Sequence, residues 1–126
     1  MNLGDHQRLP GYCILLYSGE ANHLTDLESE EQSLFLQDMA RLGQAVSDAC
    51  RELDKGFWRI NYEILGNKYE HLHAHVRARY HWELEPLKNG SVYRYSDLYE
   101  SKFQTTDDHE YLRSAIENHL RVDAQS

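Results

Sequence analysis

Cysteine, proline and long apolar runs are all scarce in this chain of 126 residues. Its two cysteines, Cys13 and Cys50, are too few for a disulfide framework, and both lie in apolar segments, which predicts buried free thiols. No apolar run reaches the roughly 18 residues of a membrane span, and the segment from Met1 to Pro10 lacks the apolar core of a secretory signal. We therefore expect a cytoplasmic protein that does not bind membranes.

Basic residues are also under-represented, since 13 Lys and Arg stand against 21 Asp and Glu and the net charge is −8. Attraction to a phosphate polymer scales with the cations presented to it, so this balance argues against nucleic acid as a partner. The composition, 40% hydrophobic and 27% charged, is that of a soluble domain. A chain of this length can bury about two thirds of its unfolded surface, and we expect one domain over residues 1–126.

The first half of the chain predicts a strand followed by a long helix. An apolar run over residues 11–17 lies between Pro-Gly and Ser-Gly turns, which favours a buried central strand. Apolar residues then recur at spacings of three and four, and they predict a helix from about Glu30 to Lys55. Ser29 and Gln32 have the spacing of a capping box at its start.

The second half predicts a hairpin and a terminal helix. The hydrophobic period changes to two over residues 57–64 and again over residues 71–80, and a Gly66-Asn67 turn separates the two runs, so we expect paired strands. A short strand is predicted over residues 91–95. Asp107 and Glu110 predict the cap of a last helix that extends through Leu120.

Three histidines occupy alternate positions of the second hairpin strand. His71, His73 and His75 alternate with Leu72 and Ala74, so in a strand they share one face. A polar surface is one interpretation, and a metal site with a further ligand from elsewhere is another. A site that uses all three is less favoured, because the outer two are about 13 Å apart at the backbone of a straight strand. Covalent catalysis, with the middle imidazole attacking phosphorus, is the third.

The stretch from Asn61 to Tyr80 resembles the signature of the histidine triad (HIT) superfamily, His-φ-His-φ-His-φ-φ, in which φ is apolar. The spacing fits, except that Arg77 takes the last φ position. The resemblance covers residues 10–80 through the order of strand, long helix, strand, turn and triad, and residues 81–126 form a C-terminal extension. It implies an α+β fold, with an antiparallel sheet, one long central helix and a C-terminal helix.

The resemblance also implies a mechanism. His73 would be the nucleophile on an α-phosphate and would form a nucleotidyl-histidine that water then cleaves. His75 would hydrogen-bond the phosphate or the leaving group, and His71 would support the network. A neutral imidazole can attack without help, so this chemistry needs no metal and no cofactor.

Further residues are implied to contact substrate. Amide donors to phosphate or ribose oxygens would come from Asn61 and Asn67, the latter standing where relatives usually carry Gln. Local positive charge would come from Lys68, Arg77 and Arg79.

The chain departs from the family pattern at several places. Ten residues precede Gly11 where relatives have a strand, a helix and a strand, so much of the nucleoside pocket is expected to be missing. The family's Pro-Gly-His is Pro10–Tyr12 here, which removes a supporting histidine unless His23 or His6 replaces it. Ala78 stands in place of a proline.

Aromatic residues continue beyond the triad in Trp82, Tyr93 and Tyr95. Such residues commonly pack in the core. Alternatively, they cover the pocket or a dimer interface.

Together the sequence predicts a nucleotide hydrolase or nucleotidyl transferase that acts on a nucleotide or dinucleotide, and the family resemblance implies a homodimer. A catalytically weak nucleotide-binding or regulatory module of the same fold is the alternative. A histidine-rich metal-binding protein is a third possibility that the sequence leaves open.

Overall fold

A computed structural model describes residues 1–125 of the chain, which form one antiparallel sheet and two α-helices joined by short 3-10 turns. In chain order the elements are β1 (Asn2–Leu3), β2 (Cys13–Leu16), α1 (Ser29–Leu53), β3 (Phe57–Glu63), β4 (His73–Tyr80) and α2 (Glu110–Gln125). The strand order in the sheet is β1-β2-β4-β3. This confirms the predicted mixed fold, with one long helix, a C-terminal helix and an antiparallel sheet.

Strand β4 is central to the sheet, because it pairs with β2 on one side and with β3 on the other. The predicted alternation is confirmed: the apolar side chains at residues 72, 74, 76, 78 and 80 are all buried. Those within β4 pack toward α1, whereas His73, His75, Arg77 and Arg79 project from the opposite face. The pairing of β3 with β4 is the predicted hairpin, and β2 lies inside the sheet beside the two-residue strand β1.

Helix α1 covers the apolar face of the sheet with a stripe of buried residues that includes Leu42, Val46 and Ala49. The predicted capping box is wrong, because Glu28 takes the extended N-cap conformation and Ser29 is already helical. Gln32 donates its side-chain amide to the Leu27 carbonyl instead, at 2.9 Å.

The helix ends at Leu53, two residues before the predicted end. The Asp54 carboxylate accepts from the backbone N–H of Gly56 at 2.7 Å, and this turn leads directly into β3. Both cysteines, Cys13 and Cys50, are buried free thiols in the core, as predicted.

Residues 81–109 fold over the polar face of the sheet without adding a strand. The predicted strand over residues 91–95 is wrong: Val92–Arg94 is a 3-10 turn, and Tyr95 returns to extended backbone. The predicted Asp107 cap is also wrong, because Thr106 precedes a 3-10 turn over Asp107–His109 and its side chain accepts from Asp108 N. Helix α2 follows and packs on α1 through the buried side chains of Leu112 and Ile116.

Residues 5–7, which lead into β2, are hydrogen-bonded to residues 103–105, which lead into α2. Gln7 N–H donates to the Phe103 carbonyl at 2.7 Å, and Thr105 N–H donates to the Asp5 carbonyl at 3.0 Å. The C-terminal segment therefore braces the residues that lead into β2. Neither helix over residues 1–125 is long and apolar enough to cross a membrane.

Candidate active site

A cavity of about 500 Å³ opens on the polar face of the sheet. Its walls come from β2, β4, the loop that precedes β4, and the segments near both ends of the chain. The lining residues are Asp5, Tyr12, Ile14, Leu16, Leu65, Gly66, Asn67, Lys68, Tyr69, His71, His73, His75, Arg77, Tyr93 and Tyr99. All three histidines that the sequence singled out therefore border one space.

His73 stands at the start of β4, with a defined orientation of its ring. Its Nδ1 lies 2.6 Å from the backbone carbonyl oxygen of His71. A carbonyl oxygen can only accept, so Nδ1 carries the proton and donates it to this bond. The other ring nitrogen, Nε2, then holds a lone pair when the imidazole is neutral, which is the form that a nucleophile needs.

His71 does not share the strand with the other two histidines, which corrects the prediction of three imidazoles on one straight strand. It precedes β4 at an exposed bend, and its Nε2 lies 2.9 Å from the Tyr17 carbonyl oxygen. The backbone there follows the loop beside it, because Leu72 N–H donates to Ala21 O at 2.8 Å and Leu72 O accepts from Tyr17 N at 3.0 Å. His71 thus presents its carbonyl to His73 and its ring to the loop.

His75 is partly buried behind His73, and the two rings lie edge to face with centroids 4.9 Å apart. Its Nδ1 is 2.8 Å from the hydroxyl oxygen of Tyr12. Burial, and then the positive charge of Arg77 and the neighbouring His73, lower the pKa of His75 to about 4. His75 is therefore neutral at pH 7.

Comparison with solved structures identifies two histidine triad proteins with a similar fold. A histidine triad protein from Bradyrhizobium japonicum superposes with a TM-score of 0.67 at 21% identity, over 94% of this chain and 81% of that one. A histidine triad protein from Marinobacter aquaeolei VT8 gives a TM-score of 0.68 at 20% identity, over 94% and 80% of the two chains. This chain has the histidine triad fold. No family profile and no curated protein sequence matches it.

Tyr12 occupies the position at which the histidine triad pattern has a histidine, and it contacts the triad directly. Gly11 makes the turn before it with φ of +106°, where a Cβ would lie 2.6 Å from the Cys50 sulfur. The buried Gln7 side chain holds this turn, since it accepts from Gly11 N and Tyr12 N and donates to Tyr12 O. The ring of His6 packs on Tyr12 at 5.0 Å.

The two histidines considered as replacements for the supporting histidine lie elsewhere in this fold. His6 is buried behind Tyr12, and its ring is not part of the cavity wall. His23 precedes the 3-10 turn Leu24–Asp26 and is exposed. Neither ring is hydrogen-bonded to a triad histidine in the part of the chain that the structure describes, whereas the Tyr12 hydroxyl is bonded to His75.

Arg77, which departs from the family pattern, is 4% exposed at the inner wall of the cavity. Its guanidinium carbon lies 3.8 Å from the centroid of the Tyr12 ring. The same group donates to Glu63 at 3.0 Å and to the Tyr93 hydroxyl at 3.1 Å. Arg77 is therefore stacked and paired, and its charge is fixed close to His75.

Arg79 and Asn61 lie outside the cavity, unlike the other predicted substrate contacts. The Arg79 guanidinium is buried against Glu83, with a closest contact of 2.7 Å, and it donates to the Asn61 amide oxygen at 2.8 Å. It also donates to the carbonyl of Gly90 at 2.7 Å. These bonds use Arg79 and Asn61 to attach the C-terminal segment to the sheet, which corrects their expected position at the substrate.

Asn67 and Lys68 do border the cavity, from the exposed loop between β3 and β4. Gly66, with φ of +69°, lets the chain reverse just before them. The predicted amide and ammonium donors are thus available at the cavity mouth.

Several lining residues had no signal in the sequence. Tyr69 and Tyr99 border the cavity and are 66% and 70% exposed, and Asp5 adds a carboxylate. Tyr99 and Asp5 reach the site only because the segment that leads into β2 pairs with the one that leads into α2. The sequence did give a signal for Tyr12, because this residue stands where the family pattern has a histidine.

The histidines do not form a metal-binding cluster over residues 1–125, where no group of three His, Cys, Asp or Glu side chains is placed to hold an ion. One nitrogen of each triad ring is already used: His71 binds a carbonyl, His73 binds a carbonyl and His75 binds a phenol. These bonds fix the orientation of the three rings and use only one nitrogen of each.

Proposed function

We propose that this protein is a nucleotide hydrolase or nucleotidyl transferase that cleaves a phosphate linkage at a nucleoside α-phosphate. The hydrogen bond from His73 Nδ1 to the His71 carbonyl carries the proposal, because it leaves Nε2 as the nucleophilic nitrogen at the cavity. An exposed polar histidine would not need a ring fixed at 2.6 Å from a backbone oxygen.

The reaction proceeds in two steps. His73 Nε2 attacks the α-phosphorus, a P–N bond forms, and the bond to the leaving group breaks with its electron pair departing on the leaving atom. Water, or an acceptor alcohol or amine in a transferase, then attacks the same phosphorus and releases a proton to solvent, and the P–N bond breaks with its electron pair returning to Nε2 of His73. His75 hydrogen-bonds the phosphoryl oxygens as negative charge develops on them.

The nucleoside occupies the outer part of the cavity. Tyr69 and Tyr99 both border it and are mostly exposed, so their ring faces are available to a base. Stacking of a base on an aromatic side chain contributes about 1–3 kcal/mol. Lys68 adds a cation beside Tyr69, its ammonium lying 5.6 Å from that ring. This surface supplies base contacts at the mouth of the cavity.

The alternative is a catalytically weak nucleotide-binding or regulatory module of the same fold. The positions of Asn61 and Arg79 favour it, because both lie outside the cavity: Arg79 binds the C-terminal segment and Asn61 binds Arg79, which leaves the phosphate fewer donors. A module of this kind binds nucleotides in the same cavity without turnover.

A substrate panel with two matched variants tests the proposal. Purified protein is incubated with nucleoside phosphoesters, phosphoramidates and dinucleoside polyphosphates, and nucleoside monophosphate release is measured by chromatography. His73→Ala should lower kcat at least about a thousandfold, because the nucleophile is lost. His81→Ala, an exposed histidine that packs on Trp58 away from the cavity, should retain wild-type activity.

Two outcomes would reject the hydrolase. Equal activity in His73→Ala would assign the reaction to another site. Binding of nucleoside monophosphates in calorimetry without cleavage of any panel substrate would favour the binding module.

A further inference from the structure

Two departures from the family pattern are in direct contact in this structure. Tyr12 replaces the supporting histidine, and Arg77 replaces an apolar residue after the triad. The Arg77 guanidinium stacks 3.8 Å from the Tyr12 ring centroid, and the Tyr12 hydroxyl lies 2.8 Å from His75 Nδ1. The three side chains therefore form one contact chain, and it ends at the His75 imidazole.

Three neighbours hold the Tyr12 ring in place beside the cavity. Arg77 covers one side, the His6 ring packs at 5.0 Å, and Gly4 lies so close that a Cβ there would overlap the Tyr12 ring. Tyr12 also has its backbone clamped by the Gln7 side chain. The phenol cannot turn away from His75 without breaking these contacts.

The direction of the Tyr12–His75 bond follows from the chemistry of its two partners. Burial raises the pKa of Tyr12, so the phenol keeps its proton at neutral pH. A phenol O–H is a good donor, and the unprotonated nitrogen of a neutral imidazole is a good acceptor. The phenolic proton therefore stays on Tyr12, and His75 Nδ1 accepts the hydrogen bond. The ring hydrogen of His75 is then on Nε2.

Resting on the proposed function, we propose that Tyr12 is a positioning residue that fixes His75 as its Nε2–H tautomer. In this form His75 is a neutral hydrogen-bond donor to the phosphoryl group. The reaction consequently takes leaving groups that depart as anions. A neutral imidazole stabilises charge through its N–H but has no acidic proton to transfer. A phosphate or a phenolate leaves with the electron pair alone. An amine leaves only after it gains a proton, which His75 in this form does not supply.

The charges around His75 agree with a neutral ring. Arg77 and His73 on β4 both disfavour a second positive charge nearby, and Asp5 opposes them more weakly. Glu63, opposite His75 on β3, is engaged by Arg77 at 3.0 Å and does not pair with the imidazole. The other polar groups at this wall are the hydroxyls of Tyr12 and Tyr93, which bond His75 and Arg77 respectively.

Nuclear magnetic resonance of the side-chain nitrogens tests the tautomer without any substrate. In ¹⁵N-labelled wild-type protein at pH 7, His75 should show a protonated Nε2 and an unprotonated Nδ1. Tyr12→Phe keeps the ring and removes the hydroxyl, so it should give a mixture of tautomers. Tyr111→Phe removes an exposed hydroxyl on α2, outside the cavity, and it should leave the His75 signals unchanged.

A leaving-group series tests the consequence for substrate. The probes are aryl esters of adenosine 5′-monophosphate, whose ring substituents vary the acidity of the leaving phenol, and the phosphoramidate of the same nucleotide. Wild-type kcat should fall steeply as the leaving group becomes more basic, and the amine should leave more slowly than any phenol. In Tyr12→Phe, kcat for the aryl esters should fall about tenfold with little change in KM, as the loss of one hydrogen bond implies.

The two results separate the inference from the function that it rests on. A protonated or Nδ1–H His75 in the wild type would overturn the tautomer, and equal kcat for amine and phenol leaving groups would overturn the leaving-group class. If His75 is the Nε2–H tautomer but no probe is cleaved, the proposed function and the leaving-group class fail together while the role of Tyr12 in fixing the tautomer stands.

Discussion

His73 and His75 show how one residue type acquires two roles from its hydrogen-bond partner. His73 donates Nδ1–H to a carbonyl, which frees Nε2 to attack, whereas His75 accepts from a phenol at Nδ1, which leaves Nε2 protonated. The two ring centroids are 4.9 Å apart, so in the proposed mechanism the nucleophile and the hydrogen-bond donor stand next to each other.

Acid should destabilise the fold partly through His75. Its pKa is lowered to about 4 by burial, Arg77 and His73, whereas the unfolded ring titrates near 6.5. Between these values the unfolded chain binds more protons, so stability falls as the pH is lowered from 6.5 toward 4. His75→Gln removes this contribution, and from pH 7 to pH 5 the variant should lose about 1 kcal/mol less stability than the wild type, after allowance for partial exposure.

Urea unfolding at the two pH values measures the difference. His81→Gln is the control, because this exposed ring lies outside the cavity. Identical losses in His75→Gln and wild type would show that His75 titrates normally.

At the scale of elements, a buried ion pair joins β4 to the C-terminal segment. Glu83 accepts from the Arg79 guanidinium, from Tyr80 N at 2.7 Å and from the Tyr95 hydroxyl at 2.7 Å, and its side chain is fully buried. Burial alone would raise the pKa of Glu83, but the hydrogen bonds from Arg79, Tyr80 and Tyr95 outweigh it and hold that pKa below its ordinary value. The carboxylate thus fixes the segment that carries Tyr93 and Tyr99.

Glu83→Gln should lower the free energy of unfolding by about 3–5 kcal/mol, because it leaves the Arg79 charge buried without its counter-charge. Asp38→Asn is the matched control, since Asp38 pairs with Arg41 at 3.8 Å on the exposed face of α1, and it should change stability by less than about 0.5 kcal/mol. Chemical denaturation compares the two variants. Equal small effects would mean that the C-terminal segment is held by its apolar contacts alone.

The elements with a clear period could be predicted from the sequence, and those held by distant contacts could not. The alternation along β4 places Ala74 and Val76 on one apolar face, and the helical repeat likewise defines α1. The exposed bend at His71 depends on bonds from Leu72 to Tyr17 and Ala21, and no local pattern encodes these.

Part of the candidate site could likewise be predicted, because it depends on the alternation along β4. The face of β4 that carries His73, His75 and Arg77 follows from the alternation, and all three border the cavity. Arg79 lies on that face as well, yet Glu83 and the carbonyl of Gly90 draw it into a structural network. Whether a basic side chain on a strand faces substrate or the next segment depends on what packs over it.

The whole molecule builds its cavity from segments that are far apart in sequence. Asp5 and Tyr12 come from the start of the chain, the histidines from its middle, and Tyr93 and Tyr99 from the segment after the sheet. Arg77 and Lys68 provide local positive charge there, although the chain carries a net charge of −8. These cations stand beside the carboxylates of Glu63 and Asp5, so the charge around the cavity is mixed.

We expect a homodimer in solution, as the family resemblance implies. Strand β3 forms one edge of the sheet and pairs with β4 alone among the described residues, and an unpaired edge can join a second copy. Light scattering coupled to size exclusion should give twice the mass of one chain at micromolar concentration. A mass of one chain across the concentration range would contradict the expectation.

The covalent intermediate on His73 is the most direct test of the proposed chemistry. Wild-type protein is mixed with an adenylated substrate, quenched in alkaline denaturant within the first turnover and digested, and the peptides are analysed by mass spectrometry. The peptide that contains His73 should carry one adenylyl group, and His73→Ala should carry none. Cleavage of substrate with no adduct at any quench time, or an adduct on another residue, would contradict attack by His73.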